Sequence, residues 1–160
     1  MTEKSVILKR GKEESLQRFH PWIFSGAIHH IEGTPDEGDI VTVYTAERKF
    51  IARGHIQVGS IAVRVLTFDD EPITDQFWYN RIATAYHLRT SIGIAGTPAN
   101  DTYRLVHGEG DNLPGLVIDI YGDTAVMQAH SVGMHVNRHI IAKAVKETLG
   151  ERMKNIYYKS

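Results

Sequence analysis

The chain has 160 residues, 42% of them hydrophobic, which is enough to bury the core of one ordinary domain or of two small ones. A formal net charge of -1 excludes a whole-chain attraction to nucleic acid or to an anionic membrane. Cysteine is absent, which excludes disulfides, thiolate metal ligands and a cysteine nucleophile. The sequence contains no secretory signal core and no apolar run long enough to span a bilayer, so we expect a cytoplasmic protein without a membrane partner.

The first part of the chain predicts short strands. The segments SVILKR, AIHHIEG, IVTVYT, KFIARGHIQ and IAVRVLTFD carry β-branched and aromatic residues, with Gly, Asp and Pro between them. A brief helix is predicted within EESLQRFHPWIF, ending near Pro21. The pattern is typical of a small all-β barrel or sandwich. It breaks at DDEPITDQ, which predicts a first domain over residues 1–72 and a second over 73–160.

The second part predicts helices as well as strands. A helix is expected from Asp75, capped by Thr74 or by Asp75 itself, and GIAGTPAND ends it. The segments TYRLVHGE, LVIDIYG and AVMQAHS then predict a three-stranded meander. A second helix is expected from about Met134 to Leu149, followed by a strand in NIYYKS. This strand either completes the preceding sheet or begins a structure that continues in a longer protein. The predicted fold class is α+β: a small β-barrel, then a small α+β domain with the order helix, β-meander, helix, strand.

The glycine-rich segment HGEGDNLPG lies between two predicted strands and allows two interpretations. A phosphate-binding loop is disfavoured, because Leu113 stands where G-x-G-x-x-G needs its third glycine and because a strand, not a helix, follows. A hairpin turn explains Asn112, Pro114 and the glycines. It does not explain Glu109 and Asp111 in the turn, nor Asp119 inside the apolar strand LVIDIY, where it must face either solvent or a cleft.

Nine histidines raise the question of a metal site. His135 and His139 have the i, i+4 spacing that can place two imidazoles on one metal, but no Glu lies between them as in H-E-x-x-H. We expect His29 and His30 to point to opposite faces of a strand and not to bind a metal together. A metal-dependent hydrolase using Asp111, Asp119 and the helical histidines is the weakest of three functional hypotheses, and no metal ligand set is predicted.

Basic residues are dense near the N-terminus. The first twenty residues contain five Lys or Arg against three acidic residues, and Phe19, His20 and Trp22 add aromatic surface beside them. Arg53 and Arg64 follow on later strands. Basic side chains for phosphates and aromatic rings for bases are the usual chemistry of RNA recognition. From composition alone, a merely solvated basic face explains the pattern equally well.

Two long segments resemble a known bacterial family. RGKEESLQRFHPWIFSGAI together with GDIVTVYTAERKFIARGHIQVGSIAVRVLTFD resembles its N-terminal PUA domain, and YRLVHGEGDNLPGLVIDIYGD resembles its central domain. The family is that of the class I S-adenosylmethionine-dependent methyltransferases that modify cytosine C5 in 23S ribosomal RNA. The resemblance implies three parts, of which this chain would supply the PUA domain and the central domain. The third part, a Rossmann-like methyltransferase domain with the nucleophilic cysteine, would lie outside it.

The resemblance implies that this chain is an RNA-binding and substrate-positioning part of such an enzyme, with ribosomal RNA as its partner. It implies no catalytic residue in this chain, and S-adenosylmethionine would be bound only by the full-length parent. The implied RNA-binding residues are Lys9, Arg10, Lys12, Arg18, His20, Pro21, Trp22, Arg53 and Arg64. A cleft shared with the absent domain would be lined by Arg104, Glu109, Asp111 and Asp119.

The strand LVIDIY carries two further expectations. Leu116, Ile118 and Ile120 share one face and should pack on a core, whereas Asp119 shares the other face with Tyr121, within reach of Arg104 across the hairpin. This second face should be exposed in the chain or buried in a homodimer. The alternative to a methyltransferase part is a stand-alone RNA-binding or protein-binding adaptor.

Overall fold

The computed structural model describes residues 3–97 and 101–159. The chain divides into two compact units, Met1–Pro72 and Ile73–Ser160, which we call unit 1 and unit 2. No helix in the described part of the chain is long and apolar enough to cross a membrane.

Unit 1 is a curled six-stranded sheet of half-barrel shape with one short helix, α1, at Glu14–Gln17. Its strands lie in the order β2-β6-β5-β4-β1-β3, with β1 parallel to β4 and the other neighbours antiparallel. They are β1 (Ser5–Leu8), β2 (Trp22–Phe24), β3 (Ile28–Glu32), β4 (Ile40–Tyr44), β5 (Phe50–Ile56) and β6 (Ile61–Thr67). The sequence prediction of a small β-domain is confirmed.

The core of unit 1 is aliphatic. Val6, Val41, Val43 and Val63 are fully buried, and they pack with Leu16 of α1 and with residues of the remaining strands. Tight strand packing requires a glycine at position 54, because a Cβ atom there would lie 2.2 Å from the carbonyl oxygen of Arg64 on β6.

The first helix is shorter than predicted and ends at Gln17. Two backbone hydrogen bonds close it: the Phe19 N–H donates to the Leu16 oxygen, and the His20 N–H donates to the Ser15 oxygen. This is the Schellman pattern, and it places Phe19 in the left-handed region with φ 62°. The chain therefore leaves the helix before Pro21 is reached, and the prediction that Pro21 ends the helix is wrong.

Unit 2 is a four-stranded sheet with three helices. The helices are α2 (Asp75–Ser91), α3 (Val132–Val136) and α4 (Arg138–Leu149), and the strands are β7 (Thr102–His107), β8 (Leu116–Tyr121), β9 (Thr124–Ala129) and β10 (Asn155–Lys159). The sheet order is β10-β9-β8-β7. Strands β7, β8 and β9 form the predicted antiparallel meander, and β10 completes the sheet as a parallel neighbour of β9.

The sequence predicted one continuous helix from about Met134 to Leu149, and this prediction is wrong. The structure instead has two helices, α3 and α4, which begin at Val132 and are separated at Asn137. Ser131 caps α3 by accepting a hydrogen bond from the Met134 N–H at 3.3 Å. The Gly133 oxygen accepts from the Asn137 backbone N–H at 3.2 Å and also from the Asn137 side-chain amide at 2.7 Å.

One face of the unit 2 sheet is buried, as predicted. Leu116, Ile118 and Ile120 are at most 2% exposed, and Ala125 and Met127 of β9 lie on the same face. Helix α2 packs against α4 and β7, and Ile141 and Val145 of α4 are fully buried. The alternate residues of the strands form the opposite face, which we call the open face.

Candidate nucleic-acid interface

Three aromatic side chains come together at β2, an edge strand of unit 1. We call His20, Trp22 and Phe24 the aromatic patch. The ring centroids of His20 and Trp22 lie 6.0 Å apart, and those of Trp22 and Phe24 lie 6.4 Å apart, both with edge-to-face geometry. Trp22 and Phe24 share a face because side chains alternate along a strand, while Ile23 between them is buried in the core.

Local hydrogen bonds hold the aromatic patch. Nδ1 of His20 lies 3.2 Å from the Trp22 backbone nitrogen and 3.3 Å from the Trp22 carbonyl oxygen, so the imidazole is held against the backbone of β2. Trp22 is half-buried and pairs across the sheet with Arg64 of β6, and its indole Nε1 is buried without a hydrogen-bond partner. Phe24 is 49% exposed. The patch therefore contains two rings fixed by local contacts, those of His20 and Trp22, and one ring, that of Phe24, whose surface is accessible to a ligand.

Exposed basic side chains come from the segments on either side of α1. Lys9, Arg10 and Lys12 lie on a tight turn closed by a hydrogen bond from the Lys12 N–H to the Lys9 oxygen, and Arg18 follows α1. Arg10 approaches Glu47 only at 3.8 Å with its side chain 88% exposed. In the part of the chain that the structure describes, no ion pair joins Lys9, Lys12 or Arg18 to an acidic side chain.

A shallow cavity of about 360 Å³ connects one of these cations to the aromatic patch. Lys12, Ser15, Trp22 and Phe24 contribute to its lining. The cavity places an ammonium group beside stackable rings, which is the combination that binds a base together with its phosphate. Phe24 was missing from the sequence prediction, although the alternation in Trp22-Ile23-Phe24 indicates that Phe24 shares the face of Trp22.

The two arginines of the later strands have different surroundings. Arg53 is 15% exposed and donates to Thr42, to the carboxylate of Asp70 and to the carbonyl of Glu71, so its guanidinium holds the end of unit 1. Arg64 is half-buried opposite Trp22 and donates to Gln57 at 3.3 Å. Only Arg64 of the two therefore lies against the aromatic patch.

The four predicted cleft residues are divided between two salt bridges and the turn, and Arg89 connects the two salt bridges because its Nε donates to the Arg104 carbonyl oxygen at 3.1 Å. Asp111 is 4% exposed at its side chain and accepts both guanidinium donors of Arg89 as well as the His107 N–H. Asp119 pairs with Arg104 across the β7–β8 hairpin at 2.7 Å, and this hydrogen bond raises the pKa of the Arg104 guanidinium. Glu109 is exposed at the turn.

The glycine-rich segment is a hairpin connection, as the turn interpretation predicted. Residues Gly108–Asp111 form a 3-10 turn, Asn112 follows in the left-handed region with φ 58°, and β8 comes next. Gly115 also has positive φ, and a Cβ atom there would lie 2.6 Å from Oγ of Ser131. In dinucleotide-binding and nucleotide-binding loops the glycine-rich segment is followed by a helix. Here it is followed by the antiparallel strand β8. It does not fit an S-adenosylmethionine cradle.

The histidine predictions had mixed outcomes. His29 and His30 were expected to point apart, and that is wrong, because their Nδ1 atoms lie 2.7 Å apart on edge strand β3. His30 contacts Glu32, whose pKa is lowered to about 2, first by its hydrogen bonds to Arg48 and then by the one to His30. His135 contacts the Tyr158 hydroxyl at 2.6 Å. Among residues 3–97 and 101–159, no group of three or more His, Asp or Glu side chains could hold a metal ion.

Unit 2 has a larger cavity of about 470 Å³, lined in part by Tyr86, Tyr103 and Arg152. Burial raises the pKa of Tyr103 to about 12, and Arg152 donates to the Tyr86 hydroxyl at 2.7 Å. The lining also contains Lys154 and the acidic residues Asp101 and Asp123, so the two signs of charge balance. We assign this cavity no ligand.

Comparisons with known proteins place the aromatic patch within a recognised domain. Residues 6–68 match the family described as a PUA-like domain. Ribosomal RNA large subunit methyltransferase I of Aeromonas hydrophila is 40% identical over 148 residues, which cover 89% of this chain and 36% of that protein. The protein of the same description from Vibrio cholerae is 38% identical over 146 residues, covering 88% of this chain and 35% of that protein.

Solved structures share the fold at low identity. A putative SAM-dependent methyltransferase from Streptococcus mutans matches with a TM-score of 0.79 and 15% identity, over 96% of this chain and 40% of that chain. A putative methyltransferase complexed with SAH matches with a TM-score of 0.78 and 16% identity, over 98% of this chain and 40% of that one.

The chain spans little more than a third of the length of these curated relatives. It contains a PUA-like domain and is homologous, over most of its own length, to ribosomal RNA large subunit methyltransferase I. The similarities give no support to the expected homodimer.

Proposed function

We propose that this chain is the RNA-binding and substrate-positioning part of an S-adenosylmethionine-dependent ribosomal RNA methyltransferase that modifies cytosine C5. The observation that carries the proposal is the aromatic patch of the PUA-like unit, with Lys12 lining the same cavity as Trp22 and Phe24 and with further exposed basic side chains on the segments that flank α1. The names of the relatives support a large-subunit ribosomal RNA as the partner. Such a partner also supports the cytoplasmic location expected from the sequence.

Each part of the patch has a separate task in this proposal. The ring of Phe24 offers a stacking surface for an unpaired base. Lys9, Arg10, Lys12 and Arg18 neutralise phosphates along the strand, and Lys12 does so next to the stacked base because it lines the same cavity. The interface therefore positions RNA without performing chemistry on it.

The cytosine C5 assignment rests on the resemblance of the two long sequence segments. The nucleophilic cysteine that the resemblance implies would lie outside this chain, which contains no cysteine. When bound to the full-length parent, S-adenosylmethionine supplies the methyl group. The residues of this chain would bind the RNA and orient it.

This chain alone should bind S-adenosylmethionine negligibly, because its glycine-rich turn leads into a strand and lacks the third glycine of a dinucleotide loop. Isothermal titration calorimetry with S-adenosylmethionine measures this directly, and we expect no detectable heat of binding. Micromolar affinity would contradict the division of labour proposed for this chain.

A charge-reversal experiment tests the RNA interface. Replacing Lys12 and Arg18 by Glu should weaken binding to purified large-subunit ribosomal RNA by roughly tenfold or more, because phosphate contacts are lost. The slope of log K against log salt should fall by about one for each contact removed. Adding Arg10→Glu should extend both effects.

The matched control replaces Lys143 and Lys154 of unit 2 by Glu. Both side chains are exposed, and the change in net charge is the same. The control should bind within about twofold of the parent if position and not total charge decides the affinity. If the test and control variants lose the same RNA affinity, the basic residues of unit 1 are only a solvent-exposed charged surface and not a specific RNA site.

A further inference from the structure

The open face of unit 2 lies opposite the buried face that contains Leu116, Ile118 and Ile120. The strand register defines a row across it: Arg104 on β7 faces Asp119 on β8, which faces Val126 on β9, which faces Tyr157 on β10. Tyr121 lies on the same face of β8, two residues beyond Asp119. All these side chains belong to one sheet, so their arrangement depends on unit 2 alone.

Two tyrosines dominate the exposed area of this face. Tyr121 is 53% exposed and Tyr157 is 64% exposed, on strands separated by β9. With strands about 4.8 Å apart and residues about 3.4 Å apart along a strand, their Cα atoms are about 12 Å apart. Val126 lies between the strands and is half-buried. The rings are therefore separate platforms and not one continuous apolar surface.

The groups around the tyrosines are polar or charged. The Arg104–Asp119 pair occupies the same row as Tyr157, and the Arg104 guanidinium also approaches Nδ1 of His107 at 3.4 Å. Lys159 on β10 is exposed and carries no carboxylate partner in the described part of the chain. The core of a protein–protein interface is depleted of charge, and this face is not.

We infer that the open face binds an unpaired stretch of RNA, with bases stacked on Tyr121 and Tyr157. The inference rests on the proposed function, because it takes the same ribosomal RNA as the ligand. Aromatic rings on a four-stranded sheet bind single-stranded bases through their π-faces, and neighbouring polar side chains contact base edges and phosphates. Asp119 already neutralises Arg104, so stacking and not charge supplies most of the binding here.

The test compares two double variants of the whole chain. Tyr121→Ala with Tyr157→Ala removes both rings, and Tyr121→Phe with Tyr157→Phe keeps the rings and removes only the hydroxyls. The probe is an unstructured oligoribonucleotide of about 12 nucleotides, within the range that single-strand-binding surfaces cover. Both double variants are compared in the Lys12→Glu, Arg18→Glu background, because the unit 1 surface would otherwise bind the same oligoribonucleotide. In that background we expect the alanine variant to lose affinity by about 25-fold or more, from about fivefold for each ring, and the phenylalanine variant to stay within about twofold.

The charge-reversal variant of Lys12 and Arg18 keeps this test separate from the test of the proposed function. In that background, residual binding of the oligoribonucleotide should depend weakly on salt and should disappear when both tyrosines become alanine. Circular dichroism of each variant checks that the sheet is intact.

Three results would overturn the inference. The first is an alanine variant that folds and binds as the parent does. The second is a phenylalanine variant that loses as much affinity as the alanine variant. The third is a parent that binds no unpaired RNA, including the case in which sedimentation shows a dimer that the double alanine variant does not form. Binding of structured ribosomal RNA through unit 1 would still be decided by the charge-reversal experiment.

Discussion

Asp111 and Asp119 belong to the same hairpin, yet their carboxylates have different surroundings. The Arg89–Asp111 pair is enclosed, with side-chain exposures of 13% and 4%, whereas in the Arg104–Asp119 pair the arginine is 48% exposed. Removing one partner of an enclosed pair leaves an uncompensated charge away from water, which is costly, and an exposed pair contributes little. Asp111 should therefore contribute more than Asp119 to the free energy of unfolding.

The expected effects of substitution follow from this difference. Asp111→Ala should lower the free energy of unfolding by about 3 kcal/mol, and Asp119→Ala by about 1 kcal/mol or less, leaving the melting temperature nearly unchanged. Urea denaturation of the whole chain measures both. In an Arg89→Ala background the effect of Asp111→Ala should shrink, because the charge that it neutralises is gone. A larger loss for Asp119→Ala than for Asp111→Ala would make Asp119 the structural residue of the hairpin.

At the residue scale, the sequence could predict which side chains form an ion pair only where both residues lie on neighbouring strands of one hairpin. Arg104 and Asp119 were expected to approach each other because both belong to one hairpin, and they do. The partnership of Arg89 with Asp111 joins a helix to a turn 22 residues away, and no local pattern indicates it. Arg53 was assigned to the RNA surface from its charge and from the family resemblance, and in the structure its guanidinium donates to groups within unit 1.

At the scale of elements, hydrophobic periodicity was a good guide to type and a poor one to ends. The strands of the meander and helix α2 lie where the patterns predict them. The C-terminal end of α1 depends on individual hydrogen bonds of Phe19 and His20 that periodicity does not contain, and the break at Asn137 before α4 is likewise absent from the periodic pattern. The parallel pairing of β10 with β9 joins distant segments, so sequence could offer only the alternative of a sheet completed or a structure continued.

The aromatic patch illustrates how an element can position a site. The three-residue strand β2 alternates Trp22, Ile23 and Phe24, which anchors Ile23 in the core and turns both rings to the other side. His20 lies next to the Trp22 ring because the Schellman motif at the end of α1 reverses the chain direction just before β2. Composition predicted aromatic and basic chemistry in this segment. The alternation along β2 adds Phe24 to it, and the strand register pairs Arg64, which was already predicted, with Trp22.

At the scale of the whole molecule, the net charge is close to zero although the charged residues are distributed unevenly along the chain. The chain carries 18 Lys and Arg against 19 Asp and Glu, so no global field draws it to RNA. The proposed RNA binding therefore depends on local groups, of which Lys12 lines one cavity with Trp22 and Phe24. The proposed role as one part of a larger enzyme is drawn from relatives of which this chain spans little more than a third.

Ultraviolet cross-linking of the intact chain to large-subunit ribosomal RNA, followed by mass-spectrometric identification of the cross-linked peptides, tests the central claim most directly. We predict cross-links within residues 9–24, at His20, Trp22 or Phe24, that are lost on replacing Lys12 and Arg18 by Glu and kept in the Lys143 and Lys154 control. Cross-linked RNA with no peptide from residues 9–24 would contradict the assignment of the RNA interface to the aromatic patch.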